Sequence, residues 1–151
     1  MSGTPWLSDS EQTAWRGFME MHAVVGAELA RRLAADSTLS YQDYEVLVAL
    51  TDNDSGQLRV MEIAEVLGWE KSRVSHQVSR MTSRGLVEKR PCESDRRGFE
   101  VSITDVGRSH IERAAPGHVE AVRELFIDRL SANDLASLTR IARKVLGGES
   151  A

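Results

Sequence analysis

The sequence predicts a mainly α-helical (α+β) fold, a winged helix-turn-helix with long helices at both ends of the chain. Three observations predict it. Residues 60–84 carry two short amphipathic helical patterns separated by a tight turn. Residues 86–103 then contain two strand-like runs that fit a hairpin, the wing. Outside this region, apolar residues recur every three or four positions over long stretches.

The turn between the two short helices has the spacing of a helix-turn-helix. Its key residues are Ala64, Gly68 and Val74. A small residue lets the helices approach each other, and a glycine can take the positive φ angle of the turn. A branched apolar residue then anchors the second helix. Spacing of this kind predicts the motif but is weak by itself.

The second helix, predicted over residues 71–84, has one apolar and one polar face. Its apolar stripe consists of Val74, Val78 and Met81 at i, i+4 and i+7. Its polar face carries hydrogen-bond donors and cations, with no carboxylate before Gly85. Such a face suits the major groove of DNA. We expect contacts to base edges from Arg73, Ser75, His76 and Gln77, and contacts to phosphates from Lys71, Ser72, Arg80 and Arg84.

Arg84 has an alternative partner, because it can equally pair with Glu88 at the start of the wing. The strand-like runs of the wing cover residues 86–90 and 99–103, and they leave an eight-residue loop between them. That is longer than a usual hairpin connection. The loop carries Arg96 and Arg97 beside Asp95.

An arginine on an extended loop can enter the narrow minor groove of DNA. Asp95 can support one of the two guanidinium groups through a charge-assisted hydrogen bond.

The distribution of charge along the chain agrees with an interface for DNA. The chain has a net charge of −4, but residues 71–97 hold eight Lys and Arg against three Asp and Glu. The remaining residues hold eleven against twenty, so the basic character is local. A solvated helix face that is basic by chance is the alternative.

The stretch from Gly85 to Arg108 resembles the MarR family of bacterial winged-helix transcription regulators. The resemblance rests on Asp95-x-Arg97 in the wing and on Ile103-Thr104-x-x-Gly107 at the start of the next helix. It covers essentially the whole chain, because the order of the flanking helices also fits. It implies a regulator, usually a repressor, that binds a pseudo-palindromic operator in double-stranded DNA as a homodimer. It also implies that Arg97 enters the minor groove, with Arg96 as the neighbour that can substitute.

The flanking segments are predicted to be helical. A capping box, Ser8-x-x-Glu11, starts a helix near Asp9 that continues to about Ala35. A helix of roughly 25 residues is about 38 Å long. This favours packing against a second subunit, and the alternative is a helix that lies across its own domain. The resemblance implies one MarR-type domain over residues 1–151, in which 1–35 and 105–151 form dimerisation helices and 36–104 form the DNA-binding lobe.

Further helices follow the same signals. Ser40 and Asp43 start one that runs to about Leu50, and residues 58–60 form a short edge strand. After the wing, Thr104 caps a helix that Pro116-Gly117 should kink or interrupt. Ser131 and Asp134 then start the last helix, which ends at Gly147-Gly148.

Many members of the family release DNA when a small, often aromatic or phenolic, effector binds in a cleft. The residues that can line such a cleft are Trp15, His22, Tyr41 and Tyr44. These side chains are more commonly ordinary core or interface residues.

Cys92 lies near basic residues and is a candidate redox sensor, although an unreactive loop thiol is the more common case.

Other functions lack support. The four histidines show no i, i+4 ligand pair, so we expect no metal, and we expect no cofactor. The sequence contains no nucleophile elbow, phosphate-binding loop or dinucleotide fingerprint, so we expect that the protein is not an enzyme. A single cysteine and the lack of a signal sequence predict a cytoplasmic protein without a membrane partner. The alternative function is a winged-helix module that docks an acidic protein partner.

Overall fold

The computed structural model describes residues 3–148, except for the side chains of residues 95–97. The chain divides into two compact units, residues 32–118 and the two flanking segments together. Its elements are α1 (Asp9–Asp36), α2 (Tyr41–Thr51), β1 (Gln57–Arg59), α3 (Val60–Leu67), α4 (Lys71–Ser83), β2 (Val87–Cys92), β3 (Asp95–Ile103), α5 (Asp105–Leu125), a 3-10 turn (Ile127–Arg129) and α6 (Ala132–Val145).

Capping boxes start three of these helices, as predicted. At α1 the backbone N–H of Ser8 donates to Glu11 Oε2 over 2.7 Å, and the N–H of Glu11 donates back to Ser8 Oγ. Ser40 begins α2 and Ser131 begins α6 with the same reciprocal pair of bonds. Each box satisfies backbone N–H groups that have no partner inside the helix. The helix starts could therefore be predicted from a few adjacent residues.

The helix-turn-helix is formed by α3 and α4. Gly68 ends α3 with a φ of 66°, and Gly85 follows α4 with a φ of 74°. Both values lie in the left-handed region that glycine adopts without a steric penalty. Val74, Val78 and Met81 are fully buried, which confirms the predicted apolar stripe.

The core of the unit formed by residues 32–118 lies between α2, α3, α4 and the sheet. Its side chains come from all of these elements, so burial of apolar surface holds α4 against the rest of the unit. The most deeply buried members are Leu39, Val46, Leu47, Leu50, Ile63, Val74, Val78, Met81, Leu86, Val87 and Val101.

The sheet has three antiparallel strands in the order β1-β3-β2. Leu58 pairs with Val101 at the β1 edge, which confirms the predicted short edge strand. The β2–β3 pairing extends from Val87 opposite Ile103 to Cys92 opposite Asp95, with an irregularity near the end.

The predicted eight-residue wing loop is wrong, since only Glu93 and Ser94 connect the two strands. The strand prediction relied on alternating apolar residues, and such alternation requires one buried face. Toward its tip the hairpin contains mainly polar residues, so its backbone pairing leaves no apolar pattern in the sequence.

The start of α5 packs tightly against the end of α4. Thr104 Oγ1 lies 2.6 Å from the carbonyl oxygen of Gly85 and accepts a hydrogen bond from the N–H of Gly107. A Cβ atom at Gly107 would overlap the carbonyl oxygen of Leu86. The Thr-x-x-Gly pattern thus provides both a helix cap and the space for a close backbone approach.

The predicted interruption at Pro116 is wrong, because α5 continues through it to Leu125. Proline removes one hydrogen bond, to the carbonyl of Glu112, and crowds that carbonyl. Pro116 and Gly117 are exposed, so water can reach this part of the backbone. The cost is therefore small enough for the helix to continue. In the part of the chain that the structure describes, no helix is long and apolar enough to cross a membrane.

The unit formed by the flanking segments exposes many large apolar side chains. Trp15 and Phe18 on α1 are each more than half exposed, and Val145 on α6 is 80% exposed. The same unit contains a cleft of about 420 Å³ lined mainly by apolar residues of α1 and of the segment after α5. Its helices therefore leave large apolar side chains exposed on both α1 and α6.

Candidate nucleic-acid interface

The polar face of α4 is largely open to solvent. Six of the eight residues predicted on it are exposed, Ser75 is half-buried and Gln77 is buried; the six are Lys71, Ser72, Arg73, His76, Arg80 and Arg84. The buried stripe of α4 fixes the opposite face against the core. The helix therefore presents a row of donors and cations without carboxylates, as the sequence predicts.

Arg73 is held by an aromatic side chain. Its guanidinium lies over the ring of Trp69, with the central carbon 4.0 Å from the ring centroid. Trp69 precedes α4 by two residues and lies four positions before Arg73, which is in the first turn of the helix. A cation over an aromatic face is stabilised by the ring quadrupole.

Gln77 is placed differently from the prediction. It is only 4% exposed, and its Nε2 donates to Asp43 Oδ1 over 2.6 Å. Its Oε1 accepts a hydrogen bond of 2.8 Å from Arg80 Nη2. With its amide engaged and buried, Gln77 is a structural residue, and its assignment as a reader of base edges is corrected. The helical periodicity placed Gln77 at the border of the apolar stripe, where sequence does not decide between the two faces.

Arg84 is exposed but contacts the same buried carboxylate of Asp43. Its Nη1 pairs with Asp43 Oδ2, and its Nη2 donates to the carbonyl oxygen of Thr38 over 2.8 Å. Glu88, the alternative partner, instead pairs with Arg90 at 3.1 Å. The Arg84 guanidinium is thus committed to the α1–α2 connection and to α2, which argues against a phosphate contact.

The wing is supported at its turn. Arg59 Nη2 donates to Ser94 Oγ over 2.8 Å, and Lys89 Nζ lies 4.0 Å from the centroid of the Phe99 ring. The backbone of Asp95, Arg96 and Arg97 belongs to β3. Their side chains lie outside the described residues, so the predicted roles of Arg96, Arg97 and Asp95 stay predictions.

The four residues predicted to line an effector cleft belong to two different units. On α1, the ring of Phe18 lies 6.0 Å from that of Trp15 and 6.4 Å from that of His22, so three aromatic side chains follow one helix face. Tyr41 and Tyr44 lie on α2 in the other unit.

A cleft of about 290 Å³ opens beside Tyr41 and Tyr44, between α2, α3 and α5. The ring of His118 lies 4.6 Å from that of Tyr44 and 5.9 Å from that of Tyr41. Within the described part of the chain, no group hydrogen-bonds to the buried Nδ1 of His118. Burial lowers the pKa of His118, so the neutral ring is favoured. Burial also raises the pKa of Glu45 on the same wall, and the positive charge of Arg73 opposes that change.

The chain is similar in sequence and fold to known proteins. Residues 37–98 match the model of the MarR family. AbsC, a MarR family transcriptional regulator from Streptomyces coelicolor, has 37% sequence identity, and the match covers 95% of this chain and 97% of AbsC with a TM-score of 0.87. The chain belongs to the MarR family of transcriptional regulators.

Two further relatives agree with this assignment. Sco3205, a MarR family transcriptional regulator from Streptomyces coelicolor whose crystal structure is in complex with DNA, has 36% identity and a TM-score of 0.89. That match covers 98% of this chain and 92% of Sco3205. The transcriptional repressor MprA of Escherichia coli strain K12 is 22% identical over 103 residues, or 68% of this chain, and the match spans 58% of the length of MprA.

Cys92 of this MarR-family protein is a strand residue and is only 4% exposed, so its description as a loop thiol is wrong. Its Sγ lies 3.1 Å from Ser94 Oγ and 3.8 Å from Glu100 Oε1. Reactive cysteines lie in exposed, electropositive surroundings. The thiol of Cys92 is buried and therefore lacks the exposure of a reactive cysteine, which argues against redox sensing.

Three residues that support the interface or line the cleft, Trp69, Asp43 and His118, were not identified in these roles from the sequence. Trp69 has a visible signal, an aromatic residue at i−4 from an arginine on the polar face. Asp43 was identified only as a capping residue, and its second role depends on contacts 34 and 41 positions away. His118 offers no local signal, because its burial depends on α2.

Proposed function

We propose that this MarR-family protein is a homodimeric repressor that binds a pseudo-palindromic operator in duplex DNA and is released by a small neutral phenol. Its α4 helices lie in the major groove at two half-sites about one helical turn apart. The observation that carries this proposal is the exposed face of α4. Arg73, Ser75 and His76 contact base edges, while Lys71, Ser72 and Arg80 contact phosphates, whose charge Lys71 and Arg80 neutralise.

The arginines of the wing complete the DNA contacts in this proposal. Arg97 enters the minor groove beside each α4, with Arg96 as its neighbour and Asp95 as support. The bond from Arg59 to Ser94 holds the turn of the hairpin to the end of β1. A supported hairpin tip loses less conformational freedom when it binds DNA.

The exposed apolar surface of α1 and α6 supports the homodimer. Side chains such as Trp15, Phe18 and Val145 form more apolar surface than single exposed residues on a monomer usually provide. A second copy of the chain covers this surface. Trp15→Glu combined with Phe18→Glu should shift the protein to monomers in sedimentation velocity. Met61→Glu, at an exposed apolar position of α3, should leave the dimer intact.

The cleft beside His118 supports regulation by a small molecule. Its walls offer two tyrosine rings and one buried nitrogen to which no described group hydrogen-bonds. A phenol can donate to Nδ1 and pack its ring against Tyr41 and Tyr44. The carboxyl group of Glu45 on the same wall disfavours an anion. A ligand releases DNA only through different affinities for the two conformations of the protein.

The central test is a fluorescence-anisotropy titration of the protein with DNA from upstream of its own gene, over a series of salt concentrations. Four phosphates neutralised by a dimer, through Lys71 and Arg80 of each subunit, predict a slope of log affinity against log salt of about −4. Arg73→Ala should weaken specific binding by about 1–3 kcal/mol. Arg140→Ala removes an exposed arginine of α6 and serves as the matched control. Affinity that does not depend on salt would exclude this mechanism. Failure to bind any such duplex at low salt would favour an acidic protein partner.

The effector is tested in the same assay. Phenol and its monosubstituted derivatives are added to the preformed complex, and benzoate serves as the anionic comparison. We expect release by the phenols, and loss of that response in His118→Leu. A His118→Leu protein that binds DNA normally and still responds would show that the cleft is not the effector site.

A further inference from the structure

Trp69 and Arg73 form a stacked pair at the beginning of α4. The guanidinium centre lies 4.0 Å from the centroid of the indole ring. The Arg73 side chain is exposed, and no described residue accepts a hydrogen bond from it. Its position is therefore set by the ring below it and by the attraction of the nearby Glu45: burial raises the pKa of Glu45, and the positive charge of Arg73 opposes that change.

The indole ring is itself firmly placed. Trp69 is half-buried and packs against the hydrophobic core of its unit. Its backbone N–H donates to the carbonyl oxygen of Ala64 over 3.0 Å, which closes the turn after Gly68. Because turn and core both hold Trp69, the ring is a rigid platform rather than a second mobile side chain.

Stacking and base recognition use different parts of a guanidinium group. The cation–π contact uses the flat face of the group. A bidentate contact to guanine uses two N–H donors along its edge. An arginine held by its face therefore keeps its edge available, and it has already lost much of the rotational freedom that binding would remove.

We infer that Trp69 is a positioning residue that sets the base preference of Arg73. The inference rests on the proposed binding of DNA by α4. It assigns to Trp69 no contact with DNA of its own, only the placement of the Arg73 guanidinium for a guanine in each half-site.

The test is a double-mutant cycle on a duplex selected by the wild-type protein from a random-sequence library. The variants are Trp69→Leu, Arg73→Ala and the double variant, each titrated with the selected duplex and with a duplex in which the guanine is replaced. Leucine keeps the site apolar, so the core contact is partly retained. Trp69→Phe is the conservative variant, because it keeps an aromatic ring at this position.

We expect Trp69→Leu to weaken binding to the selected duplex by about 2–5-fold, which is the range of an exposed cation–π contact. The same change in the Arg73→Ala background should have little effect, and binding to the replaced duplex should change little. Trp69→Phe should retain part of the affinity. Lys71→Ala, at a predicted phosphate contact, should weaken binding to both duplexes equally.

An equal loss from Trp69→Leu with and without Arg73 would overturn the inference, because a purely structural role predicts additive effects. Equal losses on both duplexes would also overturn it. If the wild-type protein selects no duplex at all, the proposed function fails instead. A cycle with normal wild-type binding and additive effects rejects only the role of Trp69.

Discussion

The Asp43 carboxylate on α2 accepts a hydrogen bond of 2.6 Å from Nε2 of Gln77 on α4. Asp43 is 1% exposed, and it also pairs with Arg84 at the end of the same helix and caps its own helix at Ser40. One buried carboxylate thus contacts α4 at two positions separated by about two turns. Apolar packing holds α4 against the core. The two polar contacts of Asp43 restrict rotation of α4 about its axis and its translation along α2.

Replacement of Asp43 should strongly destabilise the protein. Asp43→Ala leaves the Gln77 amide and the cap of α2 without partners, and we expect a loss of about 2–4 kcal/mol in the free energy of unfolding. The measurement is urea denaturation at fixed protomer concentration. Asp52→Ala removes an exposed carboxylate at the other end of α2 and should change stability by about 0.5 kcal/mol or less. Equal effects of the two changes would disprove a structural role for Asp43.

Gln77 and His76 are neighbours on α4 with opposite exposure. Gln77→Ala removes a buried hydrogen bond and should lower the free energy of unfolding by about 1–2 kcal/mol. His76→Ala should leave stability almost unchanged and weaken binding of specific DNA. The pair is measured by denaturation and by anisotropy under identical conditions. A stable Gln77→Ala protein with altered base preference would restore Gln77 as a DNA contact.

Gly107 should not tolerate a side chain. A Cβ atom there would overlap the carbonyl oxygen of Leu86, so Gly107→Ala should cost about 1–3 kcal/mol or more through displacement of α5 from the end of α4. Gly117→Ala is the matched control in the same helix, because no atom lies within 4 Å of the added group. Alanine should stabilise that position by up to about 1 kcal/mol. Thermal unfolding curves of the two variants should therefore shift in opposite directions.

His118 should make stability depend on pH. Burial lowers its pKa in the folded protein below the ordinary value of 6.5, so the unfolded chain binds the proton more readily. The resulting stability is complete above about pH 6.5 and is lost as the pH falls through the lower folded pKa. The raised pKa of Glu45 acts in the opposite direction, so the comparison must be made between variants.

The measurement is the free energy of unfolding of wild type and His118→Gln at several values between pH 8 and 5. The variant should lose less stability than wild type over this range. His76→Gln, at an exposed position, controls for the removal of a histidine as such. Parallel pH profiles for wild type and His118→Gln would show that His118 does not contribute.

Local patterns were sufficient for much of the fold. The capping boxes at Ser8, Ser40 and Ser131, the turn glycine Gly68 and the apolar stripe of α4 were all predicted, because each depends on residues within one or two turns. The predicted exposed cations of α4 followed from the same periodicity. The extent of the wing strands did not follow, since pairing at a solvated hairpin tip requires no apolar pattern.

The sequence alone determined which elements form and which face of α4 is basic, because these features depend on neighbours along the chain. Only the tertiary structure decided that Gln77 and Arg84 turn inward to Asp43, and that His118 lies against Tyr44. Such contacts join residues more than thirty positions apart. They form only when the helices pack against each other. For a polar side chain at the border of a helix face, the neighbouring residues in the sequence do not indicate which distant residue it will contact.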